Sequence, residues 1–287
     1  MSFCGRVWLA VATAFGPIVI VFLAVSFATD HWLEFDVDRS RLDSTDRGSA
    51  YFRVSHDRHR GIFRECYPGN ESEFLNNAPG VVDNYCFNID YEMPAKSTSP
   101  TDNLKTRIHL SRCFLAFYIV AMVLFIFAFI FGMVVCCIER KRWAFTASLF
   151  AYFAAFANAV AIAFFHGAEY LERNKIEDNE YFYLRWTQNL KDYNSRSYGY
   201  SYILGWVGMA LAALTATFYL TAGCLIAKKR YRYEEKRPDM MPMGGPAMGP
   251  YDMYYPPRGY PAGPMVYNME TGRPLPALGY GDYTSWS

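Results

Sequence analysis

The segment CFLAFYIVAMVLFIFAFIFGMVVCCI-ERKR-WAFTASLFAYFAAFANAVAIAFF, which runs from Cys113 to Phe165, decides the fold. Its two uncharged runs of 26 and 23 residues are separated by four residues, three of which are basic. Since a helix needs about 20 apolar residues to cross a bilayer, each run is long enough to span a membrane. The segment therefore predicts two transmembrane helices joined by a tight turn.

Two further uncharged runs lie outward from this hairpin, Val7–Ala28 and Tyr200–Ala227, of 22 and 28 residues. The chain is 52% hydrophobic and only 19% charged, whereas a soluble domain is about a quarter charged. These features predict a four-span membrane protein. An alternative is that residues 1–28 are a cleaved signal peptide, because Ser26-Phe27-Ala28 resembles a cleavage site, although the run is longer than such peptides usually have.

Charges beside the spans predict their orientation. Basic residues fill the 139–142 turn and the KKRYRYEEKR segment after the fourth run, whereas acidic residues follow the first run. By the positive-inside rule, both termini and the turn are cytosolic. The Asn70-Glu71-Ser72 sequon, a glycosylation signal at Asn70, falls on the outer side independently. The predicted divisions are a cytosolic N-terminus 1–6, spans 7–28, 113–138, 143–165 and 200–227, outer loops 29–112 and 166–199, a turn 139–142 and a tail 228–287.

The first outer loop has the pattern of a small sheet. Apolar and polar residues alternate in LEFDVD, Leu33–Asp38, and in YCFNIDYE, Tyr85–Glu92, which is typical of half-buried strands. Cys66 and Cys86 are the only two of the seven cysteines predicted to lie outside the membrane and its cytosolic edge. They are expected to form a disulfide that stabilises the sheet by about 3 kcal/mol. The alternative is two free thiols.

Residues in this loop also carry a family resemblance. Claudins have a Trp, then Gly-Leu-Trp, then two cysteines in their first outer loop, and an Arg opens their second span. This chain is similar, although it has Gly-Ile-Phe at the position where claudins have Gly-Leu-Trp. Segments Cys86–Tyr91 and Ser197–Tyr202 look more like the calcium-channel gamma subunits of the same superfamily. The matching residues are Trp32, Gly61, Ile62, Phe63, Cys66, Cys86 and Arg112.

The resemblance implies a fold and a class of function. It implies a left-handed four-helix transmembrane bundle that carries a small, disulfide-pinned antiparallel sheet on the outer side. The superfamily also includes epithelial membrane and peripheral myelin proteins. The chain is thus expected to be a divergent claudin-like membrane protein.

The third span contains small residues at every fourth position, from Ala147 to Gly167. Such a ridge lets helix backbones approach closely, and its drift around the helix would contact two neighbours in turn. We expect packing inside the bundle, and the alternative is a seam between copies in a homo-oligomer. Asn158 in this span is expected to bond to another helix.

Four cysteines lie at the predicted cytosolic edge of the spans. Thiols next to a membrane and a basic turn are candidates for S-palmitoylation. The first candidates are Cys136 and Cys137, followed by Cys4 and Cys224.

The composition changes from Pro238 onward, where 50 residues contain 10 prolines and 8 glycines. Such a segment cannot bury enough apolar surface to order itself. We therefore expect a disordered cytosolic tail that recruits scaffold or cytoskeletal proteins, with an inert tether as the alternative.

The sequence contains little that is typical of a catalytic or metal-binding site. His56-Asp57-Arg58-His59 has the spacing of a weak metal motif, but the adjacent arginines argue against a zinc site. No catalytic motif is present, so we expect a non-enzyme with no cofactor and no nucleic-acid partner. Arg53, Arg58 and Arg60 are instead predicted to form an exposed basic run that faces a partner.

Two functions remain open. The first is adhesion at cell–cell contacts of the plasma membrane, with the first outer loop binding another claudin-like or cell-surface protein. The second is an auxiliary subunit that controls the trafficking or gating of a channel or receptor. The spans would contact membrane lipids in either case.

Overall fold

The architecture comes from a computed structural model, which describes residues 3–47, 51, 53–68, 81–82, 86–92, 101–138 and 140–236. The predicted glycosylation site Asn70 and the predicted disordered segment 238–287 lie outside these residues.

In the part of the chain that the structure describes, the body consists of four long helices: α1 (Phe3–Ala28), α2 (Asp102–Ile138), α3 (Lys141–Asn174) and α4 (Tyr200–Lys236). All four are long and apolar enough to cross a membrane. The structure thus confirms the four-helix class, whereas the left-handed sense of the bundle stays a prediction.

Helices α2 and α3 extend well beyond the apolar runs from which they were predicted. Helix α2 begins at Asp102, whose charge lies in the first turn beside the positive end of the helix dipole. The Thr101 hydroxyl accepts a hydrogen bond from the Leu104 amide at 3.4 Å, as an N-terminal cap does. The polar ends of α2 and α3 project from the bundle and support the sheet.

Small residues of α3 lie in the interior of the bundle. Ala147, Ala151 and Ala161 are fully buried, and the Asn158 side chain donates to the Gly205 carbonyl of α4 at 3.1 Å. The predicted bond from Asn158 to another helix is therefore confirmed. Large apolar side chains of the same helix point away from the bundle, and Phe156 is 66% exposed. Because a span presents such side chains to lipid, this outer face is the lipid-facing surface.

Six strands among the described residues form an antiparallel sheet, which covers one end of the bundle, called here the sheet end. The strands follow the order β4-β5-β3-β2-β1-β6 across the sheet. Their bounds are β1 (Leu33–Val37), β2 (Arg58–Arg60), β3 (Arg64–Cys66), β4 (Val81–Val82), β5 (Cys86–Asn88) and β6 (Asn194–Tyr198).

The two strands expected from alternation are present. In β1, Leu33, Phe35 and Val37 are buried while Asp36 is exposed, which confirms the alternation of LEFDVD. The second stretch forms only the three residues of β5, where Phe87 is buried.

The loop between α3 and α4 supplies the sixth strand, which the sequence did not predict. Strand β6 pairs with β1 along its whole length, from Leu33 opposite Tyr198 to Val37 opposite Asn194. A short helix, Gln188–Asp192, precedes it and is capped by Thr187, whose hydroxyl also donates to Asp46 at 2.8 Å. The two loops therefore fold as one structure.

Candidate functional site

Cys66 and Cys86 lie directly opposite each other on β3 and β5, and they form a disulfide. The bond joins the strands that flank residues 67–85, most of which lie outside the described part of the chain. The disulfide predicted from the placement of the cysteines is confirmed.

Trp32 anchors the sheet to the helices. Its side chain is 1% exposed, and its indole N–H donates to the Ser26 carbonyl at the end of α1 at 2.8 Å. The rings of Phe114 from α2 and Phe165 from α3 lie with their centroids 5.0 Å from that of Trp32. With the Tyr202 ring of α4, 6.1 Å from it between centroids, this one side chain contacts all four long helices at the place where the chain enters β1.

The Gly-Ile-Phe motif completes this junction. A Cβ on Gly61 would lie 2.6 Å from the Asp30 carboxylate oxygen Oδ1 and closer still to the Asp30 backbone, so any larger residue would displace the turn. Ile62 is buried, whereas Phe63 is 38% exposed and packs edge-on against Phe27 of α1.

Arg112 joins the same region from α2. Its Nε and Nη2 donate to the Tyr91 carbonyl at 2.9 and 2.7 Å, and the Tyr91 hydroxyl in turn donates to the Ile62 carbonyl at 2.6 Å. The structure therefore brings Trp32, Gly61, Ile62 and Arg112 together as a joint between the sheet and the bundle.

The predicted exposed basic run is wrong for two of its three residues. Arg58 is 3% exposed and Arg60 is 7% exposed. Because side chains alternate along a strand, both point to the same face of β2, and this face packs onto the end of α3 and the second loop. Only Arg53 is exposed, and its guanidinium lies over the Phe87 ring at 4.2 Å.

The two buried arginines belong to a charge network between the sheet and the helices. Arg60 donates to Glu65 of β3 at 3.0 Å and to both carboxylate oxygens of Glu172 of α3 at 2.8 and 3.0 Å. Arg107 of α2 donates to Glu172 at 2.8 Å, and Arg58 Nε lies 3.3 Å from Glu65. Removing these charges from water is unfavourable, and the network offsets that cost only because its members form ion pairs and hydrogen bonds with one another.

Tyr181 of the second loop closes the network. It hydrogen-bonds both Arg60 and Glu65 through its hydroxyl. Burial raises the pKa of Tyr181 to about 12, so the phenol stays protonated. Burial alone would raise the pKa of Glu65, but the guanidinium groups of Arg60 and Arg58 outweigh it and hold that pKa below its usual value. The carboxylate is therefore ionised in the folded protein.

Sequence reasoning missed this network because its members are far apart in the chain. Glu172 is 112 residues from Arg60, and it lies beyond the apolar run from which the third span was predicted. One signal was available, since Arg58 and Arg60 alternate with His59 as residues on one face of a strand do.

The two histidines of the weak metal motif have different environments, and only His59 belongs to a strand. His56 is buried, whereas the His59 ring stacks on the His31 ring with centroids 4.1 Å apart and planes 4° from parallel. Within the described residues, no group of three or more potential metal ligands is close enough to hold an ion.

The candidate acylation sites lie on the helices. Cys4, Cys136, Cys137 and Cys224 are all exposed free thiols. Their exposure is compatible with lipid attachment, and acylation itself stays a prediction.

Comparison with known proteins identifies a match over most of the chain. The sequence model of the family described as PMP-22/EMP/MP20/Claudin tight junction matches residues 18–221, more than two thirds of the 287 residues. The matched range includes the sheet, the disulfide and the joint around Trp32. No curated protein matches the chain.

Proposed function

This chain belongs to the PMP-22/EMP/MP20/claudin family, and from that premise we propose that it is a plasma-membrane protein of cell–cell contacts. Both termini lie in the cytosol and the sheet faces outward. The sheet binds a claudin-like protein on the opposing membrane, a second copy of this chain included. In this proposal the protein has no catalytic activity.

The attachment of the sheet to the helices carries this proposal. Strand β6, which leads directly into α4, pairs with β1 over five residues. In addition, Arg60 of β2 binds Glu172 at the end of α3. A surface fixed in this way loses little conformational entropy when it binds, because it is ordered before the partner arrives. Two membranes can therefore be held at a defined separation.

We assign the electrostatic steering of the partner to exposed acidic residues, in place of the arginines predicted from the sequence. Asp36 of β1 and Asp192 at the end of the short helix are both exposed, and they line the same open groove. Exposed charges mainly set the rate and specificity of an encounter, and their effect weakens with salt.

The membrane and cytosolic parts complete the proposal. The exposed thiols at Cys136 and Cys137 carry acyl chains beside the basic turn, and residues 238–287 recruit scaffold or cytoskeletal proteins. Acyl-exchange labelling should fall when both thiols are changed to serine, and unchanged labelling would remove these two sites.

Expression in non-adherent cells tests the adhesive role. We expect the protein to concentrate where two expressing cells touch, and to stay concentrated there after deletion of residues 238–287, because the tail adds no outer surface. Changing Asp36 and Asp192 to lysine should reduce the concentration at contacts. Glu180→Lys is the matched control, since that residue is exposed and does not line the groove.

A role as an auxiliary subunit is the second candidate. It is favoured by the aromatic outer face of α3, where Phe153 is 54% and Phe156 is 66% exposed and could contact a channel or receptor side-on. Such a subunit would spread evenly over the cell surface when alone and would relocate only when its partner is supplied. Purification in mild detergent from native tissue would then yield a channel or receptor in stoichiometric amount.

A further inference from the structure

A cavity of about 150 Å3 lies between the sheet, the end of α3 and the second loop. Its walls come from parts of the chain that are distant in sequence, from Phe35 of β1 to Arg196 of β6. A cavity of this size can hold a ligand as large as benzene. It neighbours the groove that carries Asp36 and Asp192, and Asn194 lines both.

Positive charge dominates the walls of this cavity. Arg58, Arg173, Lys191 and Arg196 line it, and Glu172 is the one carboxylate among the described residues that do so. Glu172 is already bound by Arg60 and Arg107. The cavity therefore has an excess of cations in a place where water screens charge poorly.

Several donors in these walls have no hydrogen-bond acceptor in the described part of the chain. Nε and Nη2 of Arg196 are both buried without one, and these two atoms form one edge of the guanidinium fork. Nη2 lies 3.2 Å from Glu169, at ion-pair distance but without hydrogen-bond geometry. Arg58, 3% exposed, also has a buried Nε without a hydrogen bond, although Glu65 lies 3.3 Å from it.

The charge of Arg196 is correspondingly under-compensated. Burial lowers its pKa, although Glu172 and Glu169 act in the opposite direction. An anion in the cavity would favour the charged guanidinium.

The two cations at the mouth of the cavity, Arg173 and Lys191, also lack a carboxylate partner among the described residues. Arg173 is exposed and Lys191 is half-buried, and neither forms a salt bridge within the residues that the structure describes. Each lies over the Tyr183 ring, Arg173 at 5.4 Å and Lys191 at 5.3 Å from its centroid. Both can turn toward a bound anion at little cost.

The remaining walls are aromatic. Phe35, Trp186 and Tyr183 line the cavity together with the cations. Aromatic walls suit the apolar body of a ligand, and the fork of a guanidinium matches the two oxygens of a carboxylate.

We propose that this cavity is a binding site for a small organic carboxylate, with the acid group at Arg196 and Arg58 and an apolar or aromatic body against Phe35 and Trp186. The site lies behind the sheet and does not depend on the adhesive role proposed above. Occupation would add contacts between β6, the second loop and α3, and would therefore stabilise the folded protein.

Benzoate is the probe that tests the site, with benzamide as its neutral isostere and sulfate as an inorganic anion. The full chain, purified in detergent, is titrated with each while the unfolding midpoint and the tryptophan fluorescence, to which Trp186 contributes as one of six tryptophans, are recorded. We expect benzoate to bind saturably and to raise the midpoint. Loss of a charge-assisted contact typically weakens binding about tenfold or more, so benzamide should bind at least that much more weakly.

Variants at the mouth keep the test independent of folding. Arg173→Gln with Lys191→Gln should weaken benzoate binding several-fold and lower the ligand-free midpoint much less than Glu172→Gln does, because neither side chain belongs to the buried network. Arg41→Gln, which removes an exposed cation elsewhere on the sheet end, is the control and should bind as the wild type does. Equal binding of benzoate and benzamide, equal binding of sulfate, no binding, or an unaltered affinity of the double variant would each overturn the proposal.

Discussion

Arg60 on β2 holds both carboxylate oxygens of Glu172 at the end of α3, at 2.8 and 3.0 Å, with both side chains at least nine-tenths buried. This pair crosses from the sheet to the helices. Burial opposes the charge on Arg60, but Glu172, Tyr181 and Glu65 outweigh it and raise the pKa of Arg60 well above its usual value. Both partners are therefore charged, and each depends on the other.

Neutralising Glu172 should destabilise the joint strongly. Glu172→Gln leaves Arg60 and Arg107 without their shared counter-charge, and breaking a buried pair in this way costs about 3–5 kcal/mol. The unfolding midpoint of the purified protein in detergent should fall accordingly. Glu180→Gln, at an exposed position in the same loop, is the control. Equal midpoints for the two variants would show that the network contributes no stability.

The disulfide predicts non-additive losses. Cys66→Ser and Cys86→Ser should each lower the unfolding midpoint and reduce the amount of protein at the cell surface, because either change removes the same covalent link, worth about 3 kcal/mol. The double variant should be little worse than either single variant. Cys113→Ser, at a free thiol in α2, is the control. Additive losses would mean that the two thiols act separately.

Acid should weaken the sheet through His59. Burial, and then the neighbouring His31, lower the pKa of His59 below its ordinary 6.5, while Glu34 and Glu65 oppose the change. Because the unfolded chain then takes up the proton more readily, this contribution to stability is complete above pH 6.5 and is lost as the pH falls through the lowered value.

The measurement is the unfolding midpoint from about pH 7.5 to about pH 5.5, the range in which histidines titrate. His59→Gln should show a shallower fall than the wild type, whereas His109→Gln on α2 should follow the wild type. The same pH dependence in the His59 variant and the wild type would rule out this role for His59.

The orientation of the chain is tested at Asn70. A glycan at this sequon should give a glycosidase-sensitive mass shift in a glycosylating cell, and Asn70→Gln should abolish it. A protein of unshifted mass would count against the outward placement of residues 29–112. The intact mass also shows whether residues 1–28 are removed.

Short sequence patterns predicted the elements whose formation depends on residues close together in the chain. Uninterrupted apolar runs located the helices, alternation located β1, and the distribution of thiols located Cys66–Cys86. Strand β6 has the sequence NSRSY, which is polar on both faces, so only its pairing with β1 makes it a strand.

The candidate site was harder to predict, because its charged residues pair with residues that are distant in the sequence. Arg58 and Arg60 resemble a solvated basic run until the fold pairs both with Glu65 of β3 and pairs Arg60 with Glu172 of α3. The cavity lined by Arg58 and Arg196 likewise combines β1, β2, β6 and the end of α3, which no spacing in the sequence connects.

Adhesion without any other protein is the most direct test of the function proposed here. The purified chain is labelled and incorporated into giant vesicles with the sheet outward, and its density is measured where two vesicles touch and on their free surfaces. We expect a several-fold higher density at contacts between two protein-bearing vesicles, reduced by high salt and by Asp36→Lys with Asp192→Lys. An even density at those contacts, with enrichment only after a channel or receptor is added, would contradict the adhesive role.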